Sequence, residues 1–377
     1  MATPPIGRHV ASASDSRTSE LPTRPAAVER GFRSLPERPY EPGWLDRLVD
    51  RIDGLPGANG LYALGLLVFQ ATWVTVALWW NGALPVGTFD LQHTFVVVIA
   101  PYLLWVRFYL DRVAGTAMDA FRPVLPVSDP EFQRLRYELT TLPPRTTWIV
   151  TVLAVVAYVV NALLLPDWMI EQFGPSRGVS AVVLAPVALL TMAVVAISTV
   201  QAIRQLWMVN VIHGLVEKIS PFRAKALYAF SGLAARTGAS FLLLAYYIAA
   251  IRPDVVRETP VLKLLVVAMV PTAVACFIVP LYGMHRRLAA EKDRLLVEAG
   301  ARFERVLAEL HRRVEEGTLA DADKLNDQLS SVATEREALA RISIWPWDAS
   351  TMTGFITTLV LPVILWLVQR LLGRMGL

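Results

Sequence analysis

The sequence predicts an all-α protein, a polytopic transmembrane helical bundle of about seven spans with a cytoplasmic antiparallel helical hairpin. Three observations predict this class. Hydrophobic residues make up 54% of the chain and charged residues only 18%, which is a membrane composition. Seven apolar runs contain no Asp, Glu, Lys or Arg, and arginines collect in alternate loops between these runs.

The apolar runs define the predicted membrane segments. A helix rises about 1.5 Å per residue, so about 20 apolar residues cross a hydrocarbon layer of about 30 Å. The fifth run, 237–251, is short for a full span, and a re-entrant segment is the alternative there. In chain order the runs are 61–80, 91–106, 146–166, 178–203, 237–251, 264–284 and 349–369.

The segment before the first run has two parts. Residues 1–42 are rich in Pro, Ser and Arg and poor in large apolar side chains, so we expect a disordered cytoplasmic tail. The first 58 residues contain no apolar stretch typical of a cleavable signal peptide. Residues 43–58 predict an amphipathic juxtamembrane helix lying on the membrane surface. Its apolar face consists of Trp44, Leu45, Leu48, Val49 and Ile52.

The distribution of arginine predicts the orientation of the chain. Cytoplasmic loops of membrane proteins collect Lys and Arg. Eight arginines precede the first run and the loops 107–145 and 204–236 are basic, whereas 82–90 contains no Lys or Arg. We therefore expect a cytoplasmic N-terminus, an exoplasmic C-terminus, and a location in a bacterial cytoplasmic (inner) membrane. The bacterial assignment rests on the excess of Arg over Lys, which is typical of GC-rich genomes.

A sequence pattern recurs within the predicted six-span membrane core, 59–284. The pattern P-x3-[RK]-x2-Y-x4-L-x2-R-T occurs at 130–146 and again at 221–237. Such repeats are common in membrane proteins, so the pattern predicts duplicated helical hairpins. Arg145 and Arg236 occupy equivalent positions in the two copies. Both are expected to reach lipid headgroups, either by extending to the interface or as a binding site for an anionic lipid or phosphate.

The largest predicted soluble element is the cytoplasmic helical hairpin, 285–347. Two amphipathic stretches flank Gly317, and a turn this tight makes the two helices antiparallel. We expect the hairpin to contact a second copy of the chain or a cytoplasmic protein, and pairing of its two helices alone is the alternative. The near balance of its charges makes a nucleic-acid partner unfavourable. The predicted interaction stripe consists of Phe303, Leu310, Leu325 and Leu329.

A short connection, Ile344-Trp345-Pro346-Trp347-Asp348, links this hairpin to the last membrane segment. Proline cannot extend the incoming helix, and indoles favour the membrane interface. We therefore interpret the connection as a stiff elbow. It leads into 348–377, which is predicted to contain the seventh span and a short exoplasmic tail.

The sequence contains no recognisable catalytic motif. It has no glycine-rich phosphate loop, no H-E-x-x-H, no C-x-x-C and no G-x-S-x-G. We nominate no catalytic, cofactor-binding or metal-binding residue, and we do not expect an enzyme. Gln70 and Asn161 are the candidate polar residues inside the spans, either for hydrogen bonds between helices or for a transport pathway. His213 is expected at the surface of an inner loop.

Two functions remain open from the sequence. The first is a non-enzymatic membrane scaffold or signalling component that acts through its cytoplasmic helical hairpin. The alternative is a channel or transporter with a pathway between the repeated hairpins.

Overall fold

The computed structural model describes residues 39–82, 84–90, 95–164, 179–216, 224–251, 260–317 and 322–374. These residues form helices and no strands. Only the last four positions of the predicted disordered tail, 39–42, fall within the described chain.

The helices are numbered here in chain order, and a short 3-10 turn, Arg122–Val124, follows the third. They are α1 (Trp44–Asp53), α2 (Asn59–Trp80), α3 (Val96–Phe121), α4 (Asp129–Thr140), α5 (Pro144–Leu164), α6 (Val179–Gly214), α7 (Ala224–Leu227), α8 (Ser231–Ile251), α9 (Pro260–Glu315), α10 (Ala322–Arg341) and α11 (Ala349–Arg374).

Among the described residues, 5 helical segments are long and apolar enough to cross a membrane, where the sequence predicts about seven. Helix α3, which contains most of the second predicted run, is not among them because it also contains Arg107, Asp111 and Arg112. The described part of α11 contributes a shorter apolar helix, Ala349–Leu361. The 5 segments are Asn59–Trp80, Asp129–Val160, Val183–Gly214, Ser231–Ile251 and Val267–Glu315.

The fifth predicted run lies in a helix longer than the run itself. Helix α8 has 21 residues and begins at Ser231, upstream of the apolar run 237–251. At about 1.5 Å per residue it is about 31 Å long, which matches the thickness of a hydrocarbon layer. The length therefore removes the reason for expecting a re-entrant segment.

Large apolar side chains cover the outer surface of the bundle. On α5 an exposed face extends from Trp148 to Leu163. Soluble proteins rarely expose contiguous apolar surface of this extent, whereas lipid is a suitable solvent for it. The exposed side chains of this face include Ile149, Val152, Leu153, Val156, Val159 and Val160.

Helix α9 is one continuous element of 56 residues that extends beyond its apolar segment. At about 1.5 Å per residue its length is about 84 Å. Helix α10 lies alongside its distal part, because Lys292 Nζ donates hydrogen bonds to the carbonyls of Ala340 and Ile342 at 2.7 and 2.8 Å. Arg302 and Glu335 form an ion pair at 3.1 Å. We refer to α9 from His285 onward, together with α10, as the helical pair.

The two copies of the repeated pattern share buried positions but differ in backbone. Leu142 and Leu233 occupy equivalent positions and both are fully buried. Leu142 lies in the connection between α4 and α5, whereas Leu233 lies within α8. Residues 221–223 of the second copy are outside the described chain. The duplication thus remains a prediction.

Candidate functional site

The predicted interaction stripe lies within the helical pair. Leu325 of α10 is buried, and Phe303, Leu310 and Leu329 are half-buried. Packing of α10 against α9 accounts for part of this burial, as the ion pair between Arg302 and Glu335 joins the same two helices. The stripe is therefore only partly accessible to another protein.

A second stripe of small apolar side chains follows the opposite side of α9. Val297 is 71% exposed, and it lies about 160° around the helix from the buried Ala299, at about 100° per residue. The spacing between successive members is seven, four and seven residues, which keeps them on one helical face. The members, all exposed, are Ala290, Val297, Ala301 and Ala308. We call this set the outer stripe.

The elbow is held by stacked aromatic rings. Trp345 lies between His285 and Trp347, with ring centroids 3.7 and 4.3 Å away. Trp347 stacks in turn on Phe277 at 5.1 Å, and Phe277 stacks on Phe355 of α11 at 4.7 Å. The five rings thus connect the base of the helical pair to the apolar segments of α9 and α11.

Asp348 closes the elbow at the start of α11. Its Oδ1 accepts a hydrogen bond of 2.6 Å from the backbone N–H of Thr351, which is the arrangement of a helix N-cap. This backbone hydrogen bond holds the pKa of the Asp348 carboxyl below its ordinary value, because it favours the charged form.

Arg287 fastens the base of the helical pair to α6. Its guanidinium donates hydrogen bonds to the carbonyls of His213, Gly214 and Val216 at 3.0, 3.2 and 2.9 Å. These carbonyls lie at and just beyond the end of α6, where helical carbonyls lack partners and the helix dipole favours a cation.

The prediction that His213 lies at the surface is wrong. His213 is 1% exposed and packs between the rings of Phe121 and Phe230, at 5.4 and 5.5 Å. The reason is that α6 extends to Gly214, well past the apolar run 178–203. The end of the helix therefore lies inside the packed bundle.

Three charged side chains meet inside the bundle at its arginine-rich end. Arg107 of α3 forms an ion pair with Asp46 of α1 through Nη2, and its Nε lies 3.7 Å from Asp111. Asp46 also accepts a hydrogen bond of 3.0 Å from the backbone N–H of Leu142. Arg107 and Asp46 are both buried. This group joins α1, α3 and the connection before α5.

Helix α6 adds polar side chains to the same region. Gln201 and Gln205 are buried, and the Nε2 of each lies within 3.5 Å of the carbonyl of Leu139. Gln205 also hydrogen-bonds Asp111. We call Asp46, Arg107, Asp111, Gln201 and Gln205 the polar cluster.

Tyr40 is bound beside the polar cluster. Its hydroxyl donates a hydrogen bond to the carbonyl of Thr141 at 2.8 Å and accepts one from Arg204 at 2.8 Å. Its own carbonyl accepts a hydrogen bond from the Tyr137 hydroxyl at 2.9 Å. Burial raises the pKa of the Tyr40 hydroxyl. This residue falls within the predicted disordered tail, yet the bundle holds it in place.

A small cavity adjoins the polar cluster. Its volume is about 30 Å³, which corresponds to the space of about one water molecule. Within the described structure, Arg107 Nη1, Gln201 Oε1 and Ser198 Oγ are buried without hydrogen-bond partners, and all three residues line the cavity. Groups of this kind usually pair with water or a ligand.

The other predicted site residues lie apart from this cluster. Gln70 is buried in α2, and its amide has no hydrogen-bond partner among the described residues. Asn161 lies within α5, but its side chain is outside the described part of the structure. Arg145 and Arg236 are both exposed. The guanidinium of Arg236 lies 6.0 Å from the ring of Tyr109, in cation–π range.

Sequence reasoning missed the polar cluster. Each predicted apolar run ends at a charged residue, so the sequence pattern places Arg107 and Asp111 in the loop after 91–106. The available signal was their spacing of four residues within a helix, together with the polar side chains Gln201 and Gln205 at the end of α6.

No protein-family model, curated protein sequence or solved structure significantly matches the chain. Among the residues that the structure describes, no group of three or more His, Cys, Asp or Glu is placed to hold a metal ion.

Proposed function

We propose that the protein is a non-enzymatic membrane scaffold or signalling component that acts through the helical pair. The observation that supports this proposal most directly is the continuity of α9, which extends without interruption from its apolar segment to Glu315. A continuous helix transmits a shift or rotation of its membrane part to its distal part. In this proposal the protein resides in a bacterial inner membrane with the helical pair in the cytoplasm, as the arginine distribution favours.

Two connections support mechanical coupling between the bundle and the helical pair. Arg287 ties α9 to the end of α6 through three hydrogen bonds. The aromatic stack at the elbow ties α10 back to α11 through Trp345 and Trp347. A movement of the membrane segments is therefore transmitted to the helical pair through two connections.

The outer stripe is the proposed contact surface, and a second copy of the chain is the proposed partner. Small side chains allow two helix backbones to approach closely, as in helix pairs with small residues at the interface. The spacing of the stripe fits a matching helix, and a like stripe is present on every copy. Phe303 and Leu310 lie on the other face of α9, nearer α10, and are not part of this contact surface. Another cytoplasmic protein is the alternative partner.

Cysteine crosslinking in membranes tests this proposal. The native Cys276 is first replaced by Ala, and single cysteines are then introduced at Ala301 on the outer stripe and at Glu337 on the exposed side of α10. We expect a disulfide-linked dimer with A301C and little or none with E337C. Equal crosslinking at both positions would indicate random collision, and no crosslinking at either would reject self-association through α9.

A photoreactive residue at Val297 distinguishes the two kinds of partner. An adduct at twice the mass of the chain supports a second copy, and an adduct of another mass supports a different protein. The matched control carries the photoreactive residue at Glu337. If neither position yields an adduct in intact cells, the helical pair is not a contact surface.

A channel or transporter is the second candidate function, and the cavity beside the polar cluster favours it. Charged and unpartnered polar groups inside a helical bundle often mark a pathway. The buried amide of Gln70 is a further polar group inside α2. Ion flux into liposomes that contain the purified chain, lost in Asp111→Asn and retained in Asp119→Asn, would support transport. An absence of flux for all ions tested would argue against it.

A further inference from the structure

The polar cluster contains one more negative charge than positive charges. Arg107 supplies one positive charge, whereas Asp46 and Asp111 supply two negative charges. An uncompensated charge inside a protein is costly, because the interior solvates it less well than water does. Uptake of one positive charge by the cluster removes this cost.

The two carboxylates differ in how they are held. Both oxygens of Asp46 have a partner, one in the guanidinium of Arg107 and the other in the backbone N–H of Leu142. Asp111 lies farther from the guanidinium, at 3.7 Å, accepts a hydrogen bond from the neutral amide of Gln205, and has a side chain that is 22% exposed. The ionised form of Asp111 is thus the less stabilised of the two, and solvent can reach it.

Acceptor oxygens line the cavity next to Asp111. The hydroxyls of Thr237 and Ser240 donate their protons to the carbonyls of Leu233 and Arg236, at 2.9 and 2.8 Å. What they present to the cavity is therefore oxygen lone pairs. Gln201 likewise uses its Nε2 on Leu139 and keeps its Oε1 unpartnered in the described structure. A water molecule in this space can donate to these oxygens and accept from Arg107 Nη1.

We propose that Asp111 and one water molecule in the adjoining cavity form a proton-binding site. A proton from solvent forms an O–H bond on the Asp111 carboxylate, and no other covalent bond changes. The cluster then carries one positive and one negative charge. A metal cation suits the site less well, because the guanidinium of Arg107 lines the same cavity.

The charged groups around the polar cluster do not supply the missing positive charge to Asp111. Asp50 of α1 adds a further negative charge near Asp111. Asp53 of α1 pairs with Arg112 at 3.4 Å, and Arg204 of α6 is engaged by Tyr40 and Thr141. On α3 itself, Asp119 pairs with Arg136 of α4 at 3.2 Å. Arg236 of α8 lies near Asp348 at the start of α11. Arg204 keeps its positive charge, because Tyr40 and Thr141 are neutral, but it lies on the Asp46 side of the cluster, beside the Thr141–Leu142 peptide. The charged groups that act on Asp111 are Arg107, Asp46 and Asp50.

Infrared titration of the full-length chain in lipid nanodiscs tests the site. A protonated carboxyl gives a carbonyl stretch separate from that of a carboxylate, so its loss with rising pH reports deprotonation directly. We expect the wild-type chain to show this band at about pH 6.5, where Asp and Glu side chains with ordinary pKa values of about 3.9 and 4.3 are almost fully ionised. Asp111→Asn should remove the band. Asp119→Asn, on the same helix but with a side chain 51% exposed, should retain it.

The charge imbalance itself is tested by Asp46→Asn. This substitution removes the excess negative charge, so the midpoint of the wild-type titration should move to lower pH by about 1–3 units. The proposal is overturned if the wild type lacks the band at about pH 6.5, if Asp111→Asn retains it, or if Asp119→Asn also loses it. An unchanged midpoint in Asp46→Asn would overturn the charge argument. Proton binding without ion flux would leave the site intact and reject only the transport function.

Discussion

His285 of α9 stacks on Trp345 of the elbow, with ring centroids 3.7 Å apart and ring planes 14° from parallel. The His285 ring also hydrogen-bonds the carbonyl of Ile344 at 3.0 Å. This contact joins the point where α9 leaves its apolar segment to the point where the chain returns from α10. The elbow is therefore a packed joint between the helical pair and the bundle.

Removal of one ring tests the strength of this joint. Trp345→Ala deletes the stacking contacts with His285 and Trp347, and each such contact contributes about 0.5–1.5 kcal/mol beyond burial. We expect the free energy of unfolding to fall by about 1–3 kcal/mol, as measured by denaturant titration in mixed micelles. Trp148→Ala, at a side chain 54% exposed on α5, should change it little. Equal losses for the two variants would contradict the packed joint.

The cap that Arg287 provides for α6 gives a second prediction. Arg287→Gln removes the cation and most of the hydrogen bonds to the last carbonyls of α6. Part of the guanidinium is exposed, so solvent screening limits the expected loss to about 1 kcal/mol. Denaturant titration measures the free energy of unfolding of this variant and of Arg286→Gln, a control at an exposed neighbour on α9. A larger loss in Arg286→Gln would contradict the assigned role.

Helices α8 and α9 approach closely at Gly238. A Cβ atom at this position would lie 2.7 Å from the carbonyl oxygen of Ala273 and 3.0 Å from the Phe355 ring. Gly238→Ala must therefore push backbone apart, at a cost of about 1–3 kcal/mol. Gly300→Ala on α9 meets nothing within 4 Å, and it should stabilise the helix by up to about 1 kcal/mol. The change in the free energy of unfolding is therefore expected to be a decrease in Gly238→Ala and an increase in Gly300→Ala.

The N-cap of α11 predicts a dependence of stability on pH. The pKa of Asp348 is lowered in the folded chain by the N–H of Thr351, so its contribution is present above the unfolded value of about 3.9 and is lost as pH falls through the folded pKa. Asp348→Ala should lower stability at neutral pH by about 1 kcal/mol or less, since the side chain is exposed. The difference from wild type should shrink in acid. A difference that grows in acid would reject the cap.

The membrane helices could be predicted from the sequence because their signal is local. A run of apolar residues that contains no charge identifies a helix such as α5 or α6 without knowledge of its neighbours. The ends of the helices were less predictable. Packing at the arginine-rich end extends α3 and α6 past their apolar runs, and this extension buries Arg107 and His213.

The polar cluster could not be predicted because it depends on contacts between distant residues. Asp46 and Arg107 are separated by 61 positions, and nothing in the local pattern of either residue indicates the other. The outer stripe was missed for a different reason. Alanine contributes little to hydrophobic periodicity, so the larger Phe303 and Leu310 dominated the pattern and indicated the side of α9 nearer α10.

The oligomeric mass of the full-length chain in nanodiscs, measured by native mass spectrometry, tests the central claim most directly. We predict dimers or larger assemblies for the wild type, and monomers for Ala301→Glu, which places a charge in the middle of the outer stripe. Glu337→Ala on α10 should leave the wild-type mass unchanged. A monomeric wild type, or an Ala301→Glu variant that assembles as the wild type does, would contradict association through α9.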